Sequence, residues 1–537
     1  MNMRYFLTCV AALLSASIGS SSVLTALIPE GTIEANLTID WTLNPQPAAA
    51  RFVGISLSAS NQGNGVFPSP EAGVSNGAIA GASQLRADVL RFPDDVSQSY
   101  HWRAALGSRT TLDTDTFGFL ANRSSIDDMM VTVNMVTAAK EDAWQWVSYM
   151  NSPTTTDWGQ ERAKHGVAEP YNAHYWLLGE DIASYKEAFP TAADYVRSAR
   201  ENATAMKLVS PSIEVGLWIT DGSSEDLRAW NSEMLTAASS SFPALPGCNN
   251  PSLFDFLAVR VSVDVPNRPV TDQALFPTLY SYAAERARTV VQAAEQAAQS
   301  VGCPPPLAVY RYDLDYGSEG WNFDKADSMG AAITLSGMLN EFMRHEAVFT
   351  TIYRGLNTDS FAAVLKVPRR YDVPQNERFA LNPIGELLAT FGQYFAGSSL
   401  QVDFGGAGAT ASKAFYHGPA VGRIPSQEPV PLLTIGASFD LVANQMVIWI
   451  SSRSSNDRVI VHVTVRETGT HTFQNHTLAQ AITGPTLSAD RYASFDRVQA
   501  LGHDTPITVA SPDAGTSTFD LEITPISINT FQIGLAT

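Results

Sequence analysis

Two runs in the chain end in acids where an apolar strand gives way to a loop. LAVYRYDLDYGSEG, Leu307 to Gly320, carries Asp313, Asp315 and Glu319 beyond its apolar start, and YWLLGED, Tyr175 to Asp181, closes on Glu180 and Asp181. Carboxylates held at the open end of a barrel can move a proton or attack a carbon. Arg311 sits at the centre of the first run, however, and a guanidinium stays charged and offers only donors. It can serve neither as nucleophile nor as base. Asp313 lies two residues on, so a regular strand turns it to the same face, displaced by about 6–7 Å. No metal-ligand spacing, phosphate-binding glycine loop or Ser/His/Asp pattern stands out, and the nine histidines are scattered. The glycines of NQGNGVF fit a loop after the first strand, so no cofactor is expected.

These acids need a frame that brings strand ends together. From Phe52 to about Gly355, eight short β-branched or aromatic runs recur: FVGISLSAS, VLRF, VTVNM, YWLLGED, EVGLWI, FLAVRVSV, LAVYRYD and VFTTIYRG. Segments such as AADYVRSARENATAMKLV and LYSYAAERARTVVQAAEQAAQ separate them, with apolar residues at helical spacing. Strands alternating with helices predict an α/β fold, a (β/α)8 barrel over residues 51–390. After about Thr390 the helical spacing stops. SFDLVANQMVIWISS, DRVIVHVTVRE and TFDLEITPISINTFQIG alternate instead, which predicts a C-terminal antiparallel β-sandwich over 391–537. The early run IEANLTIDWTL also alternates, so residues 23–50 are expected to add a strand to that sandwich.

With 537 residues, 45% hydrophobic and 16% charged, the chain can bury a large core. A net charge of -19 argues against a nucleic-acid partner, because a phosphate backbone would be repelled. Residues 1–22, with Arg4 before a short apolar stretch and then small residues, have the grammar of a secretory signal cleaved between Ser17 and Ala26. A secreted protein with no stable membrane span after cleavage is expected. Four N-x-S/T sites, Asn36, Asn122, Asn202 and Asn475, fit that route as glycosylation acceptors. Cys248 and Cys303 are the cysteines left after the signal, each a few residues before a consecutive strand. A disulfide across the bottom of the barrel is predicted, with two buried free thiols as the alternative.

The stretches RFPDDVSQSYHW, VTVNM, AWQWVSYMNSPTTTDWGQERAKHGVAEPYNAHYWLLGED and AITGPTLSAD occur in an order that resembles the retaining α-L-arabinofuranosidases of glycoside hydrolase family 51 and their clan relatives. The resemblance implies a barrel joined to a β-sandwich, with an acid/base glutamate ending strand four and a nucleophilic glutamate ending strand seven, about 5–5.5 Å apart. The strand-four pattern is Gly-Asn-Glu; this chain reads Gly179-Glu180-Asp181, which makes Asp181 the acid/base, one methylene short. Where strand seven would carry Thr-Glu before an aromatic residue, it reads Tyr310-Arg311-Tyr312. Strand six has Arg260 and Ser262 in place of His-x-Tyr, and strand two has Arg91-Phe92-Pro93-Asp94-Asp95 in place of Arg-Phe-Pro-Gly-Gly.

Four departures in one mouth imply a relaxed catalytic requirement. The expected protein is a pseudoenzyme with a carbohydrate-binding or extracellular structural role, in which Glu180 or Asp181 pairs with Arg311. The alternative is an active glycosidase that uses Asp181 as acid/base and a relocated acid such as Asp313. Arg91, Trp176, Arg260, Tyr316 and Trp321 are the expected sugar contacts, since flat aromatic faces with polar neighbours suit sugar rings. The partner implied is a carbohydrate or glycan, and no protein partner is named by the sequence.

Overall fold

The computed structural model of the protein describes residues 33–41, 46–47, 51–60, 74–107, 112–242, 252–301, 304–316, 325–326, 328–356, 364–366, 380–395, 398–404, 415–440, 442–454, 458–466, 472–484, 501–513 and 515–536. Residues 1–22, Cys248, Cys303, Glu319, Trp321 and the NQGNGVF run lie outside them, so the signal, the disulfide and one of the expected sugar contacts concern residues that are not described.

Eight parallel strands close on themselves: β1 (Val53–Ser56), β2 (Val89–Phe92), β3 (Asp128–Val133), β4 (Tyr175–Leu178), β5 (Glu214–Trp218), β6 (Phe256–Asp264), β7 (Leu307–Asp315) and β8 (Val348–Tyr353), with β8 pairing back onto β1. Strands covered on both faces must be apolar nearly throughout, and VGIS, VLRF and YWLL are buried at every position. Near the start of the strands Tyr175, Phe256 and Phe349 fill the interior, with ring centroids 5.4–6.0 Å apart. The helices between strands begin where a side chain caps the free N–H groups. Thr191 and Asp194 form a reciprocal capping box for Ala192–Val209, and Ser224 and Ser328 cap Glu225–Ala238 and Met329–Met343.

Strand β7 departs from the regular ladder. Val259 pairs with Val309 but Arg260 pairs with Arg311, so Tyr310 is one residue too many. Strand β8 meets the same insertion, with Thr351 opposite Val309 and Tyr353 opposite Tyr312. A bulge of this kind re-aims the side chains around it.

The remaining strands form a five-stranded sheet, a seven-stranded sheet and two short two-stranded ones. Ile33–Asp40 lies in the first, parallel to Val459–Arg466 and antiparallel to Gln401–Phe404, so the N-terminal strand joins the sandwich. One face of the seven-stranded sheet packs inside the sandwich through Ile448, Phe531 and Ile533. The other face carries Val447, Trp449, Ile482 and Ile528 into the barrel's own core. Trp449 stacks on Phe391 of the helix Pro383–Tyr394 at 5.1 Å. Among the described helices none is long and apolar enough to cross a membrane. Asn36, Asn122 and Asn475 are exposed; Asn202 is half-buried on its helix and donates to the Ser198 carbonyl at 2.9 Å.

Candidate functional site

The mouth is built from the C-terminal ends of the strands, where a barrel gathers side chains from separate loops. Strand β4 ends in a tight turn: Gly179 has φ +83° and Asp181 φ +52°, and a Cβ at Gly179 would meet Ile182 Cδ1 at 2.5 Å. That turn sends the two acids in different directions. Glu180 points inward and is 5% exposed, whereas the Asp181 side chain is 44% exposed. On β7 the bulge turns three side chains toward the interior. The Tyr310 ring lies 4.9 Å from the Arg91 guanidinium and its hydroxyl accepts from Trp218 Nε1 at 3.1 Å. Arg311 and Asp313 follow on the same side, while Tyr312 turns outward against Phe342.

The charges alternate in sign. Arg91, fully buried on β2, donates to Glu180, to Asp94 Oδ1 at 2.8 Å, to Thr132 at 3.1 Å and to Ser56 at 3.3 Å. Ser97 adds a donor to Glu180 at 3.0 Å. The Arg311 guanidinium lies 3.8 Å from the other Glu180 oxygen and donates to Asp313 Oδ2 at 3.2 Å. Arg354 also donates to Asp313 Oδ2 at 3.2 Å, and the Ser262 hydroxyl holds Oδ1 at 2.5 Å. Arg260 bridges outward, donating to Asp181 at 3.3 Å. Arg91, Arg260, Arg311 and Arg354 thus face Asp94, Glu180, Asp181 and Asp313, and their formal charges cancel.

Protonation follows from this packing. Burial alone would raise the Asp313 carboxyl, but Arg311, Arg354 and Arg260 outweigh it and hold the pKa at about 2. Asp94 is likewise held low against its burial, by Arg311, Arg91 and Arg354. For Glu180 burial prevails: its carboxyl is raised despite Arg91, with Asp94 adding to the effect. Arg311 is raised because Asp313, Asp94 and Glu180 outweigh its burial. At the outer edge of this network an open cleft of about 320 Å³ is lined by Asp181, Trp218, Asp221, Arg260, Ser262 and Asp264. Its polar wall can bind hydroxyl groups, and Asp181 is an exposed acid on it.

Residues 100–238 match the Alpha-L-arabinofuranosidase 1 domain family. The chain is 28% identical over 171 residues to alpha-L-arabinofuranosidase C of Emericella nidulans and 29% identical over 164 residues to the intracellular exo-alpha-(1->5)-L-arabinofuranosidase of Acetivibrio thermocellus. Those stretches cover 29% and 27% of this chain, and 34% and 33% of those proteins, about a third of their length. The alpha-L-arabinofuranosidase of Thermotoga maritima superposes with a TM-score of 0.70 at 17% identity, over 93% of this chain and 99% of that one. The family 51 enzyme of Thermotoga petrophila gives the same score and coverage at 16% identity. A family 44 xyloglucanase of Paenibacillus polymyxa scores 0.56 at 9% identity, over 94% and 100%.

The fold is that of a family 51 arabinofuranosidase, and the chain is a distant relative of those proteins.

Within this arabinofuranosidase-like mouth, Arg260 and Asp181 line the cleft, and the other residues expected at the site lie elsewhere. Arg91, expected as a sugar contact, is fully buried and donates to Glu180, Asp94, Thr132 and Ser56. Trp176 faces the helix layer, fully buried, donating to the Ala173 carbonyl at 3.0 Å and packing edge-on to Trp146. It occupies the outward phase of β4, so no ligand in the mouth reaches it. Tyr316 is 3% exposed and belongs to the barrel's apolar core. Asp313, the candidate for a relocated nucleophile, is 0% exposed beneath Arg311, Arg354 and Ser262. Of the two acids expected opposite Arg311, Glu180 is the one that faces it. The sequence reading did not single out Arg354 or Ser97. Arg354 follows directly on β8, where mouth residues arise, and that position is the signal that could have found it.

Proposed function

We propose that this protein binds carbohydrate in an arabinofuranosidase-like barrel without cleaving it. The observation that carries the reading is the Arg311 guanidinium between Glu180 and Asp313, 3.8 Å from the first and 3.2 Å from the second. Retaining hydrolysis needs two carboxyl groups about 5–5.5 Å apart, with one free to attack the anomeric carbon and the other able to give up a proton. Here the buried acids are matched to cations, which supports a mouth organised for charge balance. The cleft beside it keeps Asp181, Arg260 and Asp264 for hydroxyl recognition. The names of the relatives point to arabinofuranosides as the sugars to try first.

A second reading has one observation in its favour: Asp181 is exposed on the cleft, where an acid/base would have to stand. Under it the chain is an active glycosidase of arabinofuranosidase type, with Asp181 as proton donor and Asp313 as the second acid. A glycan array combined with aryl-glycoside assays, arabinofuranosides included, separates the two. Glycan retention without turnover, weakened by Arg260→Ala, supports the binding protein. Turnover that disappears in Asp181→Asn overturns it.

A further inference from the structure

A second crevice, of about 440 Å³, shares no lining residue with the mouth cleft and lies between the helices Asn76–Leu85 and Pro383–Tyr394 and the outer face of the seven-stranded sheet. The sheet supplies two rungs of one face: Gln480 opposite Thr530, and Ile482 opposite Ile528. All four side chains face the barrel because they take the strand phase opposite to the one that turns Phe531 and Ile533 into the sandwich core. The helical wall supplies Glu386, Thr390 and Gln393.

One polar group in this crevice lacks what buried polar groups normally have. Thr530 is 0% exposed and its hydroxyl has no hydrogen-bond partner. A buried hydroxyl left unpaired costs about 1–3 kcal/mol, so folded chains rarely keep one without reason. Glu386 is half-buried, and its carboxylate meets no ion-pair or hydrogen-bond partner among the described residues. Burial alone pushes that carboxyl up.

We propose that this interdomain crevice is a binding site for a neutral sugar, separate from the barrel mouth. An apolar ligand would leave Thr530 and Glu386 as they are. A cation would pair with Glu386 but face Arg86, the other charged residue of the lining. A polyol answers both groups: adjacent hydroxyls donate to the two oxygens of one carboxylate, and another exchanges a hydrogen bond with Thr530. The amides of Gln393 and Gln480 both donate and accept, as sugar hydroxyls do. The volume falls within the range of small-ligand pockets, about 300–1,000 Å³. The proposal does not depend on the reading of the mouth.

Isothermal titration calorimetry on the full chain tests it, with L-arabinose, α-1,5-linked arabino-oligosaccharides and xylo-oligosaccharides as probes. The wild type should show a binding event that Glu386→Gln and Thr530→Val each weaken at least tenfold, while Arg260→Ala in the mouth leaves it unchanged. Ala389→Trp, which fills the crevice from the helix side, should abolish it; thermal melts confirm that each variant is folded. If the event survives Arg260→Ala but is lost in Ala389→Trp, and no second event is seen, the crevice stands and the mouth reading fails. If none of the sugars binds, or if all three crevice variants bind like the wild type, the crevice proposal is overturned.

Discussion

Arg311 shares its charge among carboxylates that come from three different strand ends: Asp313 on its own strand, Glu180 after β4 and Asp94 after β2. Replacing it with glutamate would set a fourth acid beside three buried ones. Because breaking a buried pair leaves an uncompensated charge, Arg311→Glu is expected to cost about 3–5 kcal/mol, read as a lower urea midpoint. An unchanged midpoint would show that the network carries no stability. The pH dependence has a sign that can be worked out. Asp313 has a folded pKa of about 2, below its ordinary value, so its contribution is complete above that ordinary value and is lost as pH falls toward 2. The shift corresponds to about 2 kcal/mol. Glu180 is raised, so its contribution runs the other way and diminishes as pH rises through its folded pKa. Melting temperature should therefore fall less between pH 4 and 2 in Asp313→Asn than in the wild type, and an equal fall would contradict the assignment. Arg311 was legible in the sequence as a cation where the resemblance implies an acid. Its neighbours were only partly so, because which acid it meets depends on the β4 turn, whose left-handed residues split Glu180 from Asp181.

That turn and the β7 bulge are the two elements that position the mouth. Gly179 occupies a conformation that side chains rarely adopt, and a Cβ there meets Ile182. Gly179→Ala should therefore destabilise by about 1–3 kcal/mol and weaken sugar binding in the cleft, because the strain falls on the segment that carries Asp181. Binding with wild-type affinity would mean that the turn does not set the site. The alternation of eight strands with helices was legible from periodicity alone, since buried parallel strands are apolar nearly throughout. The bulge was not, because one extra residue in β7 leaves no mark on composition. It is the reason that Tyr310, Arg311 and Asp313 all reach the interior when strict alternation would turn Tyr310 outward. Trp176 shows the converse: an aromatic residue near a strand end reads like a sugar platform until the strand's phase places it under a helix.

At the scale of the whole molecule, the barrel and sandwich share apolar surface, with Trp449, Ile482 and Ile528 packed into the barrel's core. Trp449→Ala should cost about 3–5 kcal/mol and lower the melting of both domains together in a single calorimetric transition. Two separated transitions in that variant would show that the domains do not depend on this face. The sandwich and its N-terminal strand could be read from alternation, but the crevice at the junction could not, because it is made of glutamines and threonines from four separate segments of the chain that no motif links. The balance of four arginines against four acids across the mouth is likewise a property of the assembled barrel. Its consequence for function is tested most directly by the turnover number of the purified full chain on 4-nitrophenyl α-L-arabinofuranoside. A matched mouth predicts hydrolysis no faster than the buffer, unchanged in Asp181→Asn and Asp313→Asn. Turnover above the buffer that either substitution abolishes would contradict it.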